Sequence, residues 1–272
     1  MTEIRKSKRC LVWGGFGYLN RGKDMLNHVC AISLDAMGTL IELRVNAQHT
    51  YYEILKELGH PEEKIAPLLR DPGRFRRYWQ EAEDRLPANF LAEHRDRFYN
   101  YPDTPYAFWG LIFETMFRDL GLERKQLLMT LETTYQHFTN ADLWRVEPTF
   151  TELAEFCSHR DIQLYVTSNW DLRLPIILER LDVACSFAEI ITSAKVGYEK
   201  PSKKIFAHLV AAAGCSPAEI LHVGDSPVAD VWGARQSGLR AVLFGRRHAA
   251  NAPDCPIVET LRHLIDRGVT DQ

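Results

Sequence analysis

Four short stretches of the 272-residue chain carry side chains that could do chemistry together. In AISLDAMGTL (31–40) a strand-forming apolar run ends on Asp35, and Gly38 and Thr39 then supply a turn. IQLYVTSNWD (162–171) delivers Ser168 and Asn169 in the same way, and EILHVGDSPVAD (219–230) delivers Asp225, with Asp230 five residues on. GYEKPSKKIF (197–206) holds Lys200 before Pro201, whose ring biases Lys200 toward an extended backbone at the start of a helix. Taken singly, each group is ordinary: a strand-terminal aspartate is a turn former or a cap, Lys200 a surface lysine, Ser168 and Asn169 a loop start. Together they pose a charge problem. If Asp35, Asp225 and Asp230 converge to about 4 Å, each like-charged pair repels by roughly 4 kcal/mol at an effective dielectric near 20. A cation must then sit among them, and hard carboxylate oxygens favour magnesium, which keeps several waters and a substrate phosphate in its octahedron.

The elements that would position these groups follow from periodicity. From about residue 147 helix and strand alternate. Thr149 and Glu152 have capping-box spacing, and Phe150, Leu153, Ala154 and Cys157 share a helical face ahead of the strand IQLYVTS. Leu174, Ile177, Leu178 and Leu181 mark a helix, and EIITS a strand. Ser202 caps a helix facing inward through Ile205, Phe206, Leu209 and Ala213, and EILHVG follows. A helix over Val228–Ser237 stops at Gly238 before LRAVLFG. This alternation predicts a parallel sheet with helices on both faces, a layout that binds ligands beyond the carboxyl ends of its strands. Residues from about 46 to 146 read differently. HTYYEILKELG ends at Gly59, amphipathic stretches follow near 73–99, 105–120 and 123–138, and no strand is expected. Most aromatic and basic residues here (Arg74, Phe75, Arg76, Arg77, Tyr78, Trp79, Phe108, Trp109) read as core or solvated face.

Composition sets outer bounds. The chain is 46% hydrophobic and 25% charged with a net charge of −3, an ordinary globular balance without the basic footprint of a nucleic-acid or anionic-membrane binder. No apolar run of about 18 residues could span a bilayer. Residues 1–27 form an extension or an extra edge element; their basic-then-apolar start lacks a signal-peptide cleavage pattern, and a cytoplasmic protein is expected. Within them GYLNRGK has phosphate-loop spacing, but Asp24 replaces the required hydroxyl and would repel phosphate. Six scattered cysteines without a C-x-x-C pair suit reduced, mostly buried thiols. The ten histidines show no zinc spacing, and His222, inside a strand, reads as a satisfied core residue.

The four stretches together resemble the motifs of the haloacid dehalogenase superfamily of aspartate-nucleophile hydrolases: DAMGTL the first, Ser168 of VTSNWD the second, Lys200 of GYEKP the third and GDSPVAD the fourth. The resemblance extends over about 28–265 and is nearest to phosphatase-like members whose second motif reads S-N-x-D. It implies an α/β fold, a Rossmann-like doubly wound parallel sheet formed by 28–45 and 147–272, with a helical cap domain, 46–146, inserted after the first strand. It also implies that Asp35 attacks phosphorus and ligates Mg2+ together with the Met37 carbonyl, Asp225 and Asp230, while Ser168, Asn169 and Lys200 make up the rest of the catalytic set. Ser168 and Lys200 would bind the phosphoryl oxygens. The substrate would be a small phosphorylated metabolite. One position departs from the pattern: where family phosphatases carry a second aspartate that protonates the leaving group, this chain has Met37. A slow or selective phosphatase accommodates that change. A metal-independent 2-haloacid dehalogenase, which also lacks the second aspartate, has no use for the acidic GDSPVAD, and a weakly active or inactive binding or regulatory protein is the remaining reading.

Overall fold

The computed structural model describes residues 26–98, 106–245 and 255–266; nearly all of the expected extension, including the phosphate-loop look-alike, lies outside them. In chain order the strands are β1 (Ala31–Leu34), β2 (Ile41–Leu43), β3 (Trp144–Val146), β4 (Gln163–Ser168), β5 (Glu189–Thr192), β6 (Ile220–Gly224), β7 (Arg240–Phe244) and β8 (Ile257–Val258). Between β2 and β3 the helices are α1 (Ala47–Glu57), α2 (Glu62–Ile65), α3 (Pro67–Arg70), α4 (Arg74–Asp84), α5 (Ala88–Ala92), α6 (Ala107–Asp119) and α7 (Leu127–His137). After β3 come α8 (Phe150–Ser158), α9 (Leu174–Arg180), α10 (Ser193–Val196), α11 (Lys203–Ala213) and α12 (Gly233–Gln236). No helix among the described residues is long and apolar enough to cross a membrane.

Six strands form one parallel sheet in the order β5-β4-β1-β6-β7-β8. The chain lays β4 and β5 on one side of β1, then returns to build β6, β7 and β8 on the other. β1 is thus the switch point, and the crevice beyond its carboxyl end is where such a sheet binds ligands. Both faces are covered, which is why β1 and β6 are buried along their whole length and read as nearly unbroken apolar runs. Ile32, Leu34, Val166 and Val223 share one core with α8, α9 and the helical insert. Ala31, Tyr165, Ile220 and Leu243 turn the other way, onto Ile205, Phe206 and Leu209 of α11.

Four local expectations fail for identifiable reasons. The insert ends in a strand: Trp144–Val146 pairs antiparallel with Ile41–Leu43, with Leu43 opposite Trp144. Three residues are too few for an alternating pattern to register. Thr149 makes no capping box, because its hydroxyl bonds Glu147 and accepts from the Arg262 amide, while Glu152 pairs with Arg262; the capping box forms at Ser216 and Glu219 instead. The predicted Val228–Ser237 helix opens as a π-helical turn, Pro227–Trp232, before α12. The cysteines are not uniformly reduced and buried either. Cys30 and Cys215 form a disulfide across 185 residues, and only Cys157 of the free described thiols is fully buried, Cys185 being exposed. Cys30 immediately precedes β1 and donates its amide to Glu219, just ahead of β6, so strand pairing brings the two sulfurs together without any sequence spacing to announce it.

Two polar clasps hold the insert on the sheet. On the first, the buried Asp171–Arg173 pair (2.6 Å) reaches up from the end of β4: Arg173 donates to the Tyr135 carbonyl and lies over the Tyr135 ring, and Trp109 donates to Asp171. On the second, residues 94–97 run beside 197–199. Asp96 donates its amide to Gly197, Glu199 donates to His94, and Arg97 grips the buried Glu199 carboxylate through its amide (2.9 Å), Nε (2.8 Å) and Nη2 (2.9 Å) while also pairing with Glu83. Burial still holds the Glu199 carboxyl above its ordinary value despite Arg97. A buried pair of this kind adds little net stability, yet removing one partner strands a charge. Arg97→Met is therefore expected to lower the unfolding free energy by about 3 kcal/mol, and adding Glu199→Leu to recover most of that loss. Urea denaturation of the two single variants and the double variant measures the cycle; a double variant no more stable than Arg97→Met refutes it.

Candidate active site

Asp35 follows β1, Ser168 ends β4 and Asp225 follows β6, so three adjacent parallel strands deliver three reactive groups to one spot. The Asp35 amide continues the sheet by donating to Val223 (2.8 Å), which fixes the level at which the carboxylate emerges. Lys200 enters from the side. Its buried ammonium donates to Asp35 Oδ1 (2.6 Å), Asp230 Oδ1 (2.6 Å) and the Thr167 carbonyl (2.8 Å), using all three of its protons. Asn169 holds the lysine's main chain from both sides, accepting from the Lys200 amide (2.6 Å) and donating to the Lys200 carbonyl (2.9 Å). The Ser168 hydroxyl is near enough to Asp35 to favour its ionised form. All the residues singled out in the sequence therefore gather here, Asn169 as the clamp on Lys200 and Met37 at the open edge, 39% exposed.

Two glycines make this closeness possible. A Cβ on Gly224 would lie 2.1 Å from Asp230 Cγ, and one on Gly38 would lie 2.6 Å from Asp225 Oδ2, at a φ of +85° that other residues rarely adopt.

The chain sequence concealed how Asp230 is held. Besides Lys200, Asp230 accepts from the Ser226 amide (2.9 Å) and lies 3.1 Å from His222 Nε2. His222 is fully buried, with its Nδ1 3.1 Å from Ser33 Oγ, which in turn lies 2.9 Å from the Thr167 hydroxyl. Burial keeps the imidazole below its ordinary value and so neutral, which makes Nε2 the donor to Asp230. His222 is the satisfied core residue expected, but it is satisfied by the site. Asp171, Arg173 and Trp109 were likewise missed as a unit. Of the aromatic and basic residues in the insert, Phe75, Trp79 and Trp109 face the site's cavity; Arg74 and Arg77 instead pair with Asp119 and Asp71.

Charge is out of balance in this cluster. Asp35, Asp225 and Asp230 each bring a carboxylate oxygen within 4.8 Å of the others. Burial works to raise Asp230, but Lys200 and His222 outweigh it and hold the carboxyl far below the usual range. Burial likewise raises Asp35 against the pull of Lys200. For Asp225, burial and then the charges of Asp35 and Asp230 push the carboxyl up to about 7. One ammonium among three acids leaves the third without a counter-charge, and an all-oxygen, partly open set of this kind fits a hard divalent cation. The other acidic and sulfur group among the described residues, Cys30, Cys215 and Glu219, has its two sulfurs in the disulfide and offers no such site.

Beside the cluster a cavity of about 310 Å³ lies between the insert and the strand ends, with Met37, two residues after Asp35, and Asn169, next to Ser168, on its floor.

Comparison with known proteins agrees with this arrangement. A relative from Xenopus laevis, haloacid dehalogenase-like hydrolase domain-containing protein 3, is 25% identical over 245 residues, covering 87% of this chain and 94% of its own. The glyceraldehyde 3-phosphate phosphatase of Methanothermobacter thermautotrophicus is 30% identical over 137 residues, 48% of this chain and 58% of that protein. Solved structures with the same fold include a haloacid dehalogenase phosphatase from Thermococcus onnurineus (TM-score 0.54, 22% identity, 86% and 95% of the two chains) and a 2-haloacid dehalogenase from Pseudomonas syringae (TM-score 0.56, 20% identity, 87% and 96%). With its aspartate-tipped first strand, its lysine and its acidic fourth motif inside a matched span of residues 30–238, the chain belongs to the haloacid dehalogenase-like hydrolase family.

Proposed function

We propose that this hydrolase is a magnesium-dependent phosphoric monoester hydrolase that works through an aspartyl-phosphate at Asp35, with the helical insert as its cap. The observation that carries the reading is the ammonium of Lys200 fixed between Asp35 and Asp230 beside a third, uncompensated carboxylate, Asp225. Phosphoryl transfer needs little covalent help from the protein beyond a positioned nucleophile and charge neutralisation, and the cluster offers both. Asp35, the Met37 carbonyl, Asp225 and Asp230 would hold Mg2+, which supplies positive charge to the phosphoryl oxygens. Ser168 contributes a hydrogen bond to the same oxygens, while Lys200 adds positive charge beside them and keeps Asp35 ionised and aimed. Asn169 acts through Lys200, and His222 acts through Asp230. The Asp35 oxygen bonds phosphorus as the ester oxygen departs with its electron pair; water then attacks the phosphorus, releasing phosphate and restoring the carboxylate. A dehalogenase would have no use for Asp225 and Asp230 so close to its nucleophile. An inactive binding protein is the second reading, favoured by Met37, which stands exposed where a proton donor would be needed.

Three outcomes test this. Phosphate release from p-nitrophenyl phosphate is expected to need Mg2+, to stop with chelator, and to fall by at least about 10³-fold in Asp35→Asn. Chloride release from 2-chloropropionate without metal points instead to the dehalogenase, and silence in both assays to the binding protein. Met37→Asp should raise turnover of alkyl phosphates by up to about 10²-fold while changing p-nitrophenyl phosphate little, since only the poor leaving group needs the proton. Equal effects on both substrates would contradict this role for position 37. His222→Leu, by freeing Asp230, should lower kcat by about 10-fold to 100-fold and weaken Mg2+ activation, with far-UV circular dichroism unchanged. Unaltered Mg2+ dependence would remove His222 from the mechanism.

A further inference from the structure

Family membership leaves open what organic group the phosphate is attached to, and the cavity that Met37 and Asn169 border beside Asp35 bears on that. Its walls are aromatic: Phe75, Trp79, Trp109, Phe138 and Trp144 come down from the insert and its closing strand to meet Met37 on the floor. Trp79 meets Trp109 edge to face at 5.8 Å and Phe98 stacks on Trp109, so the lining is a packed aromatic surface of the kind a further flat group can join.

The polar groups in this lining are engaged elsewhere. Arg173 and Asp171 neutralise each other, Trp109 donates to Asp171, and the Asn169 carboxamide is fully taken up by the Lys200 main chain. Tyr51, Thr134 and Tyr135 add three hydroxyls at the walls. A sugar or amino-acid phosphate placed here would lose hydration at several polar groups, at about 1–3 kcal/mol for each one left unsatisfied.

The chemistry of departure leads to the same class by a separate route. Met37 cannot protonate a leaving oxygen. Burial raises the phenols of Tyr51 and Tyr135 well above their ordinary value, and Asp171 is committed to Arg173. The leaving oxygen must therefore carry the electron pair of the broken P–O bond unaided. A phenolic oxygen, with a pKa of about 10, does so far better than an aliphatic one, closer to water at about 15.7.

We propose that the cavity takes the organic part of an aryl phosphomonoester, an uncharged aromatic group of one or two rings, in preference to polyhydroxylated or zwitterionic phosphates. The inference rests on the hydrolase reading of Asp35. In the balanced step the Asp35 oxygen–phosphorus bond forms, the phosphorus–aryloxy bond breaks to leave a phenolate that solvent protonates, and water then releases phosphate from Asp35.

The full chain with Mg2+ would be assayed on 1-naphthyl phosphate, glycerol 1-phosphate, glucose 6-phosphate and phosphoserine, with acetyl phosphate as a small control with a good leaving group. The expected kcat/KM for 1-naphthyl phosphate exceeds those of the three polar phosphates by at least about 100-fold. In Trp79→Gln the ratio of 1-naphthyl to acetyl phosphate kcat/KM should fall by about 10-fold through KM. If acetyl phosphate is cleaved but a polar phosphate equals or beats 1-naphthyl phosphate, the aryl preference is wrong and the hydrolase reading stands. If nothing is cleaved, the hydrolase reading fails, and the cavity is read by titrating Asp35→Asn with 1-naphthyl phosphate and following tryptophan fluorescence. Saturable quenching that weakens in Trp79→Gln supports the aryl site; equal binding of glycerol 1-phosphate overturns it.

Discussion

The ammonium of Lys200, buried and shared between Asp35 and Asp230, is the constraint on which the rest of the site depends. A lysine taken out of water loses several kcal/mol of hydration, so it stays charged there only if carboxylates meet it at close range. That requirement reaches outward through the fold. Asp230 must not drift, and His222 and the Ser226 amide hold it; Lys200 must arrive at a set angle, and Asn169 clamps its main chain. Gly224 must lack a side chain because Asp230 occupies the space one would fill. The parallel order β4-β1-β6 is the frame that makes these demands compatible, since it alone brings residues 35, 168 and 225 to one edge. Even so, one positive charge against three acids leaves the site anionic, and burial first, then the charges of Asp35 and Asp230, raise the Asp225 carboxyl.

Much of this was legible in the sequence, for a physical reason. A reactive residue directly after a buried strand has one place to go in a parallel sheet, so Asp35, Ser168 and Asp225 could be assigned to a common edge before any coordinates. Alternation from residue 147 onward gave the doubly wound layout for the same reason. What stayed hidden depends on register between distant strands. His222 reaches Asp230 and Ser33 only because His222 pairs with Ser33 across β6 and β1. The Cys30–Cys215 disulfide, the β2–β3 ribbon and the Asp171–Arg173 clasp are of this kind as well, each set by which turn of one element faces which residue of another. The Thr149 capping signal failed through competition: Glu147 and Arg262 occupy the hydroxyl that the helix would have used.

The two clasps join substrate enclosure to phosphoryl chemistry. Glu199, gripped by Arg97 from the insert, directly precedes Lys200, and Asp171, tied to Trp109 and Arg173, lies three residues beyond Ser168. The insert is thus fastened to the two loops that carry Ser168 and Lys200, through ion pairs whose partners are largely withdrawn from water. Sliding it away would either expose or unpair those charges, which costs more than parting an apolar surface of equal size, because each stranded ion must be resolvated in a confined space. Aromatic walls and positioned lysine therefore form one mechanical unit: the contacts that hold the insert on the strand ends also hold the segment that carries Lys200. A ligand that filled the cavity and displaced its water would strengthen the charge interactions beside it. A site that lacks a proton donor at Met37 has greatest need of that strengthening, because its remaining means of favouring bond cleavage are position and charge.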